Sequence, residues 1–188
     1  MSDIGNDRVA ILLAGGSGSR LMPITKIFSK QLLPIYNKPM IFYSMSTLIR
    51  LGHRNIILIS NPQHKDYYFK LFKNGEDLGV KIKYVIQKKP NGIAESFLLT
   101  KKFIENKKTT LILGDNIFFS KFENIVIKND SATVVTTNVN NPSEYGVVER
   151  TKKNIKIYEK PQSTKSKEVI TGLYFYDKKV LKYASQIK

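Results

Sequence analysis

Short apolar runs alternate with amphipathic stretches over the first part of the chain. Val9–Ala14 is an unbroken apolar run and predicts a buried strand. Pro39–Leu51 predicts a helix. Met40, Ile41, Ser44, Met45, Leu48 and Ile49 share one face, a proline opens the stretch and Gly52 closes it. Asn55–Ser60 reads as the next strand. Pro62–Phe72 reads as a second helix, ending near Asn74 and Gly75. Lys81–Gln87 alternates, with Ile82, Tyr84 and Ile86 on one side, and Ile93–Ile104 and Thr109–Leu113 add a third helix and a fourth strand. Strand and helix in this alternation imply βαβ units with a largely parallel sheet and right-handed crossovers.

Beyond residue 130 the rhythm changes. Ala132–Val139, Tyr145–Glu149, Ile155–Glu159 and Val169–Tyr176 are strand-like, 161–167 is a polar loop, and Lys178–Ile187 is helical in pattern. The reading is an α/β fold with a mixed, mostly parallel sheet flanked by helices. It forms a single domain over residues 1–188, with 8–130 as one half and 131–188 as the other.

Composition narrows the class. At 41% hydrophobic residues, a chain of 188 can build a real core, and without cysteine it has no disulfide framework or thiolate metal site. No apolar run reaches membrane-spanning length and the start lacks a signal-peptide core, so a cytoplasmic protein without a membrane partner is expected. The net charge of +16 admits an acidic partner. Its lysines are scattered and no aromatic-basic stretch accompanies them, so compositional bias is the favoured reading and a nucleic-acid partner is disfavoured.

Ligands of parallel sheets bind beyond the carboxyl ends of strands, and three loops follow strands here. Gly15, Gly16, Ser17 and Gly18 come first, with Arg20 and Lys30 after them. Bare backbone N–H groups and fixed positive charge make an anion cradle suited to a triphosphate. The spacing matches neither the dinucleotide fingerprint nor the Walker loop. Asp115 follows the strand ending at Leu113 and could hold Mg²⁺ or simply form a turn. Gln87, before Gly92, offers a donor and an acceptor suited to a pyrimidine edge, or is a polar residue beside a turn. Glu159 and Lys160 suit sugar hydroxyls and a phosphate, or form a solvated ion pair. Tyr145 and Gly146 could sit beside a sugar. His53 and His64 fall in surface-like contexts and take no role. No nucleophile–histidine arrangement is visible.

Six blocks together carry a resemblance. They are Leu13–Leu21, Ser29–Ile41, Leu113–Asn116, Tyr145–Val148, Glu159–Pro161 and Thr171–Asp177. In this order they resemble the glucose-1-phosphate thymidylyltransferases, from about residue 8 to the last. The resemblance implies a Rossmann-like nucleotidyltransferase core and the reaction of dTTP with α-D-glucose 1-phosphate to give dTDP-glucose and pyrophosphate. This is the entry step to dTDP-rhamnose and related sugars. It implies that Gly15, Gly16, Ser17 and Gly18 hold the nucleotide, Arg20 the departing phosphates and Lys30 the reacting phosphate. Gln87 and Gly92 match base-reading positions, Asp115 the first Mg²⁺ ligand, Gly146, Glu159 and Ile170 sugar contacts, and Lys160 the contact to the sugar phosphate. Arg20, Lys30 and Lys160 are then the catalytic residues and Mg²⁺ the cofactor.

Such chemistry needs no general base, because the attacking phosphate oxygen is already anionic. Members of that family continue past this C-terminus, where a second acidic metal ligand lies. The expectation is a complete nucleotide half (8–130) and a partial sugar-phosphate half (131–188), with exposed apolar surface. Residues 120–130 look shortened and Ser19 stands where threonine is usual. Three readings follow: an active transferase; a catalytically weak nucleotide-binding module, as a truncated paralogue, a regulatory subunit or half of a split enzyme; and a basic nucleic-acid binder. A homo-oligomer or a complementing C-terminal chain is the candidate protein partner.

Overall fold

A computed structural model describes residues 4–16, 18–119, 122, 125–151 and 154–187. In chain order the strands and helices are β1 (Arg8–Ala14), β2 (Pro34–Ile35), β3 (Lys38–Pro39), α1 (Ile41–Arg50), β4 (Asn55–Ser60), α2 (Lys65–Phe72), β5 (Lys81–Ile86), α3 (Ile93–Leu99) and α4 (Lys101–Ile104). Then come β6 (Lys108–Leu113), β7 (Thr133–Asn138), β8 (Gly146–Arg150), β9 (Ile155–Glu159), β10 (Glu168–Tyr176) and α5 (Val180–Ala184). The chain divides into two compact units, 1–133 with 174–188, and 134–173.

In the first unit the strand order is β5-β4-β1-β6 and every pair is parallel. The central β1 is buried on both faces, which explains its continuous apolar sequence. Register brings the strand ends level. Ala14 pairs with Ser60, Ser60 with Ile86, and Leu13 with Leu113. Gly15, Gln87 and Gly114 therefore leave the sheet along one edge.

Alternation along the strands fills the two faces. Val9, Ile11, Ile57, Ile59 and Leu111 pack with Phe97 of α3, Ile104 of α4 and Val180 and Ala184 of α5. Helix α1 buries Ile41, Met45 and Leu48, and Phe42 meets Phe72 of α2 with ring centroids 4.9 Å apart. Arg8 ties the first strand to the last, donating from Nη1 to the carbonyls of Thr109 at 3.2 Å and Tyr176 at 3.0 Å.

The second unit is antiparallel. Gly146 pairs with Glu159 and Arg150 with Ile155 between β8 and β9, Val169 pairs with Val147, and β7 pairs β10. Glu168 takes two bonds from Arg150, at 2.8 and 2.7 Å, and one from Thr136 at 2.6 Å. The Arg150 hydrogen bond is the main reason its carboxyl drops to about 2, with Thr136 second.

Three predicted helices are shorter or broken. The first begins at Ile41 because Pro39 is taken by a hairpin, paired with Pro34 across a turn in which Tyr36 has φ +59°. The second begins at Lys65, after a turn in which Asn61 Oδ1 accepts from the His64 amide, three residues on, at 2.9 Å. The third breaks at Thr100, whose hydroxyl donates back to the Ser96 carbonyl at 2.7 Å. Strands near Ala132–Val139 and Tyr145–Glu149 form within a residue or so of the expected bounds, and the last helix is confined to Val180–Ala184.

His53 and His64 are buried, at 0% and 5% exposure, against the expectation of surface positions. The chain from Gly5 crosses over Leu51–His53, with the Gly5 amide donating to the Leu51 carbonyl at 2.9 Å. That crossing brings together residues far apart in sequence. Burial, helped by the Arg8 charge, lowers the His53 imidazole to about 4.

Candidate functional site

The glycine loop is shaped by its neighbours. A Cβ on Gly15 would lie 2.8 Å from Gln87 Oε1, so Gly15 lets the Gln87 amide reach the loop. Gly18 has φ +61°, and a Cβ there would meet Thr25 Cγ2 at 2.8 Å and Lys30 Cβ at 3.3 Å. Thr25 Oγ1 donates to the Gly18 carbonyl at 2.9 Å. The loop thus folds against the segment that carries Lys30. Ser17 lies outside the described residues. Arg20 sits in the exposed 3₁₀ turn Ser19–Leu21.

Lys30 and Asp115, 85 positions apart, meet: Nζ is 3.0 Å from Oδ2. The two side chains are 33% and 28% exposed, accessible yet partly shielded. Asn116 Nδ2 donates to Asp115 Oδ1 at 3.0 Å. The single hydroxyl proton of Ser44 in α1 is shared between the carbonyls of Asn116 at 2.8 Å and Leu113 at 3.1 Å, fixing the loop after β6.

Gln31 joins these loops and was not singled out in the sequence. It is 4% exposed. Its Nε2 is 3.8 Å from where a Gly16 Cβ would sit, and its Cγ is 3.2 Å from a Cβ on Gly114. Its Oε1 accepts from Ser29 Oγ at 2.6 Å, and Ser29 Oγ is 2.7 Å from the Tyr68 hydroxyl. A serine has one proton, so Tyr68 is the donor to Ser29. Burial raises the Tyr68 phenol to about 12, so it stays protonated to play that part. The signal that could have marked Gln31 is its place beside Lys30 in the Ser29–Pro34 block.

Gln87 is buried after β5, at 3% exposure. Its Nε2 donates to Glu95 Oε2 at 2.6 Å, and Asn91 Nδ2 donates to Glu95 Oε1 at 3.1 Å. The bond from Gln87 is the main reason the Glu95 carboxyl lies below its ordinary range, with Asn91 adding to it against burial. Gly92, at φ +87° and ψ 178°, opens α3 in a conformation essentially reserved for glycine. No heavy atom lies within 4 Å of a Cβ there, so the demand is conformational rather than steric.

In the second unit Gly146, Glu159 and Ile170 share one spot. A Cβ on Gly146 would lie 3.5 Å from Glu159 Oε2 and 3.7 Å from Ile170 Cδ1. Lys160 has φ +43°, and its Nζ is 3.5 Å from Glu159 Oε1 in an exposed ion pair. Among the described residues no group of three His, Cys, Asp or Glu could hold a metal ion by itself. No helix among them is long and apolar enough to cross a membrane.

The profile of the family described as nucleotidyl transferase matches residues 9–188. The chain belongs to that family. This nucleotidyl transferase chain is 43% identical over 185 residues to a glucose-1-phosphate thymidylyltransferase of Neisseria meningitidis, covering 95% of this chain and 64% of the relative. It is 43% identical over 188 residues to the Xanthomonas campestris enzyme of the same name, covering 96% and 64%. The chain thus spans just under two thirds of the length of these relatives.

A crystal structure of a Bacillus anthracis protein described as a glucose-1-phosphate thymidylyltransferase, in complex with a sucrose, superposes with a TM-score of 0.88 at 34% identity. The match covers 96% of this chain and 76% of that one. A UDP-glucose pyrophosphorylase complexed with UDP-glucose, 20% identical with a TM-score of 0.78, shares the fold.

Proposed function

We propose that this chain carries out nucleotidyl transfer from dTTP to α-D-glucose 1-phosphate, releasing pyrophosphate. The observation that carries the reading is the meeting of Lys30 and Asp115 beside the glycine loop, at the carboxyl ends of adjacent parallel strands. The names of the relatives supply the substrates. A phosphate oxygen of the sugar phosphate attacks the α-phosphorus of dTTP. A new P–O bond forms, the bond to the β-phosphate oxygen breaks, and pyrophosphate leaves. The attacking oxygen is already anionic, so the work is alignment and charge neutralisation.

Backbone N–H groups at Gly15, Gly16 and Gly18 receive the phosphates. Arg20 and Lys30 offset their charge, and Gln87 and Gly92 face the base. In the second unit Gly146, Glu159 and Ile170 receive the sugar, and Lys160 its phosphate. Asp115 fits a single-carboxylate role for Mg²⁺, since that ion commonly takes one or two protein carboxylates and completes its shell with phosphate and water. The ion, when bound by Asp115, would supply positive charge to the phosphates. A protein with these substrates would work in the cytoplasm.

The test is pyrophosphate release with dTTP, Mg²⁺ and glucose 1-phosphate, with UTP in parallel. Release that requires the sugar phosphate supports the reading. Mg²⁺-dependent dTTP binding with no release reduces it to a nucleotide-binding module, and the absence of both binding and release overturns it.

A further inference from the structure

Gln87 has a donor end and an acceptor end, and the structure uses only one of them. Its Nε2 donates to Glu95 at 2.6 Å. Its Oε1 accepts no hydrogen bond among the described residues, and it points at Gly15, where a Cβ would crowd it at 2.8 Å. That acceptor end is left to a donor arriving on the loop side. The amide's orientation follows from chemistry: an ionised carboxylate can only accept, so the NH₂ must face Glu95 and the oxygen must face the loop. Asn91 holds the other oxygen of Glu95, keeping the carboxylate in place.

We propose that Glu95 is a positioning residue for base selection: it locks the Gln87 amide so that the site presents an acceptor to the pairing edge of the base. This rests on the reading that a nucleotide binds at the glycine loop. Thymine and uracil carry a ring N3–H that donates to such an acceptor. Cytosine presents a bare N3, itself an acceptor, and meets Gln87 Oε1 with a repulsive contact. Gln87 alone could serve either base by turning its amide over, so the discrimination resides in Glu95. A site built to hydrogen-bond one partner rejects the analogue that leaves its polar group unpaired.

The test compares Mg²⁺-dependent binding of dTTP and dCTP by calorimetry for the wild type and for Glu95→Gln. A glutamine there both donates and accepts, so the lock is lost while size is kept. The wild type is expected to prefer dTTP by at least about tenfold, of the order one well-placed base contact gives. In Glu95→Gln that ratio should fall at least several-fold, with dCTP gaining as dTTP loses. A loss of stability alone would lower both affinities together and leave the ratio unmoved. A Glu95→Gln ratio equal to the wild-type one overturns the inference and leaves the proposed function standing. A wild type that binds neither nucleotide overturns both.

Discussion

Lys30 and Asp115 neutralise one another at 3.0 Å, and a phosphate arriving at the glycine loop competes for the ammonium. On the proposed reading Asp115 is then released for the metal. Asp115→Ala should abolish the Mg²⁺-dependent part of dTTP binding, read by titrating nucleotide with and without Mg²⁺. Unchanged Mg²⁺ dependence would show that the metal is held elsewhere. His53 makes a different prediction. Its folded-state value, about 4, lies below the ordinary 6.5, so between these values the unfolded chain binds the extra proton. Stability is complete above 6.5 and falls as pH drops toward 4, by about 3 kcal/mol in all. Urea unfolding across that window should show a shallower pH slope in His53→Leu than in the wild type. Glycines and charged residues at strand ends were legible in the sequence because spacing alone places them. Gln31, Glu95 and the Tyr68–Ser29 bond were not. Each acts through partners that only the folded chain brings near, and a polar side chain leaves no periodic trace.

The turn between β5 and α3 shows how a single backbone conformation holds an element. Gly92 caps α3 at φ +87° and ψ 178°, while Glu95 in the helix's first turn anchors Gln87 at the strand end. Gly92→Ala should cost about 1–3 kcal/mol, from strain alone, because nothing crowds a Cβ there. Urea unfolding would give that difference, and weaker dTTP binding should accompany it. The inner strands β1 and β4 were readable because burial on both faces makes their sequences continuously apolar, and the edge strand β5 because one exposed face makes its sequence alternate. Helix starts were not. Pro39 is as good a signal for a first helical turn as for the hairpin residue it is, and only its pairing with Pro34 decides. The break at Thr100 was hidden for a related reason. The apolar spacing continues through it, and the side-chain bond to Ser96 that ends α3 has no signature in hydropathy.

At the scale of the whole chain, the first unit is discontinuous: it leaves at Thr133 and resumes at Tyr174. The resumed segment is structural. The Tyr176 ring meets Phe97 edge-on at 5.1 Å, Val180 and Ala184 are buried in the same core, and Arg8 bonds the Tyr176 carbonyl. A chain ended after Leu173 forfeits buried side chains worth about 2 kcal/mol for each of the larger ones, against a total stability of about 5–15 kcal/mol. Such a chain should lose its cooperative urea transition, while retention of a sharp transition would show that the four parallel strands suffice. Expecting one domain with halves meeting near residue 130 follows naturally from the change of rhythm there. The return of the chain at Tyr174 is invisible to any reading that moves along the sequence in one direction. The same path sets the order of events at the ribosome. Every strand of the parallel sheet emerges before Tyr176 has been made, so the nascent protein carries an open apolar face through much of its synthesis. Within the antiparallel segment 134–173, β8 and β9 lie close in sequence and can pair as soon as both have emerged. The oldest part of the polypeptide is thus among the last to be finished.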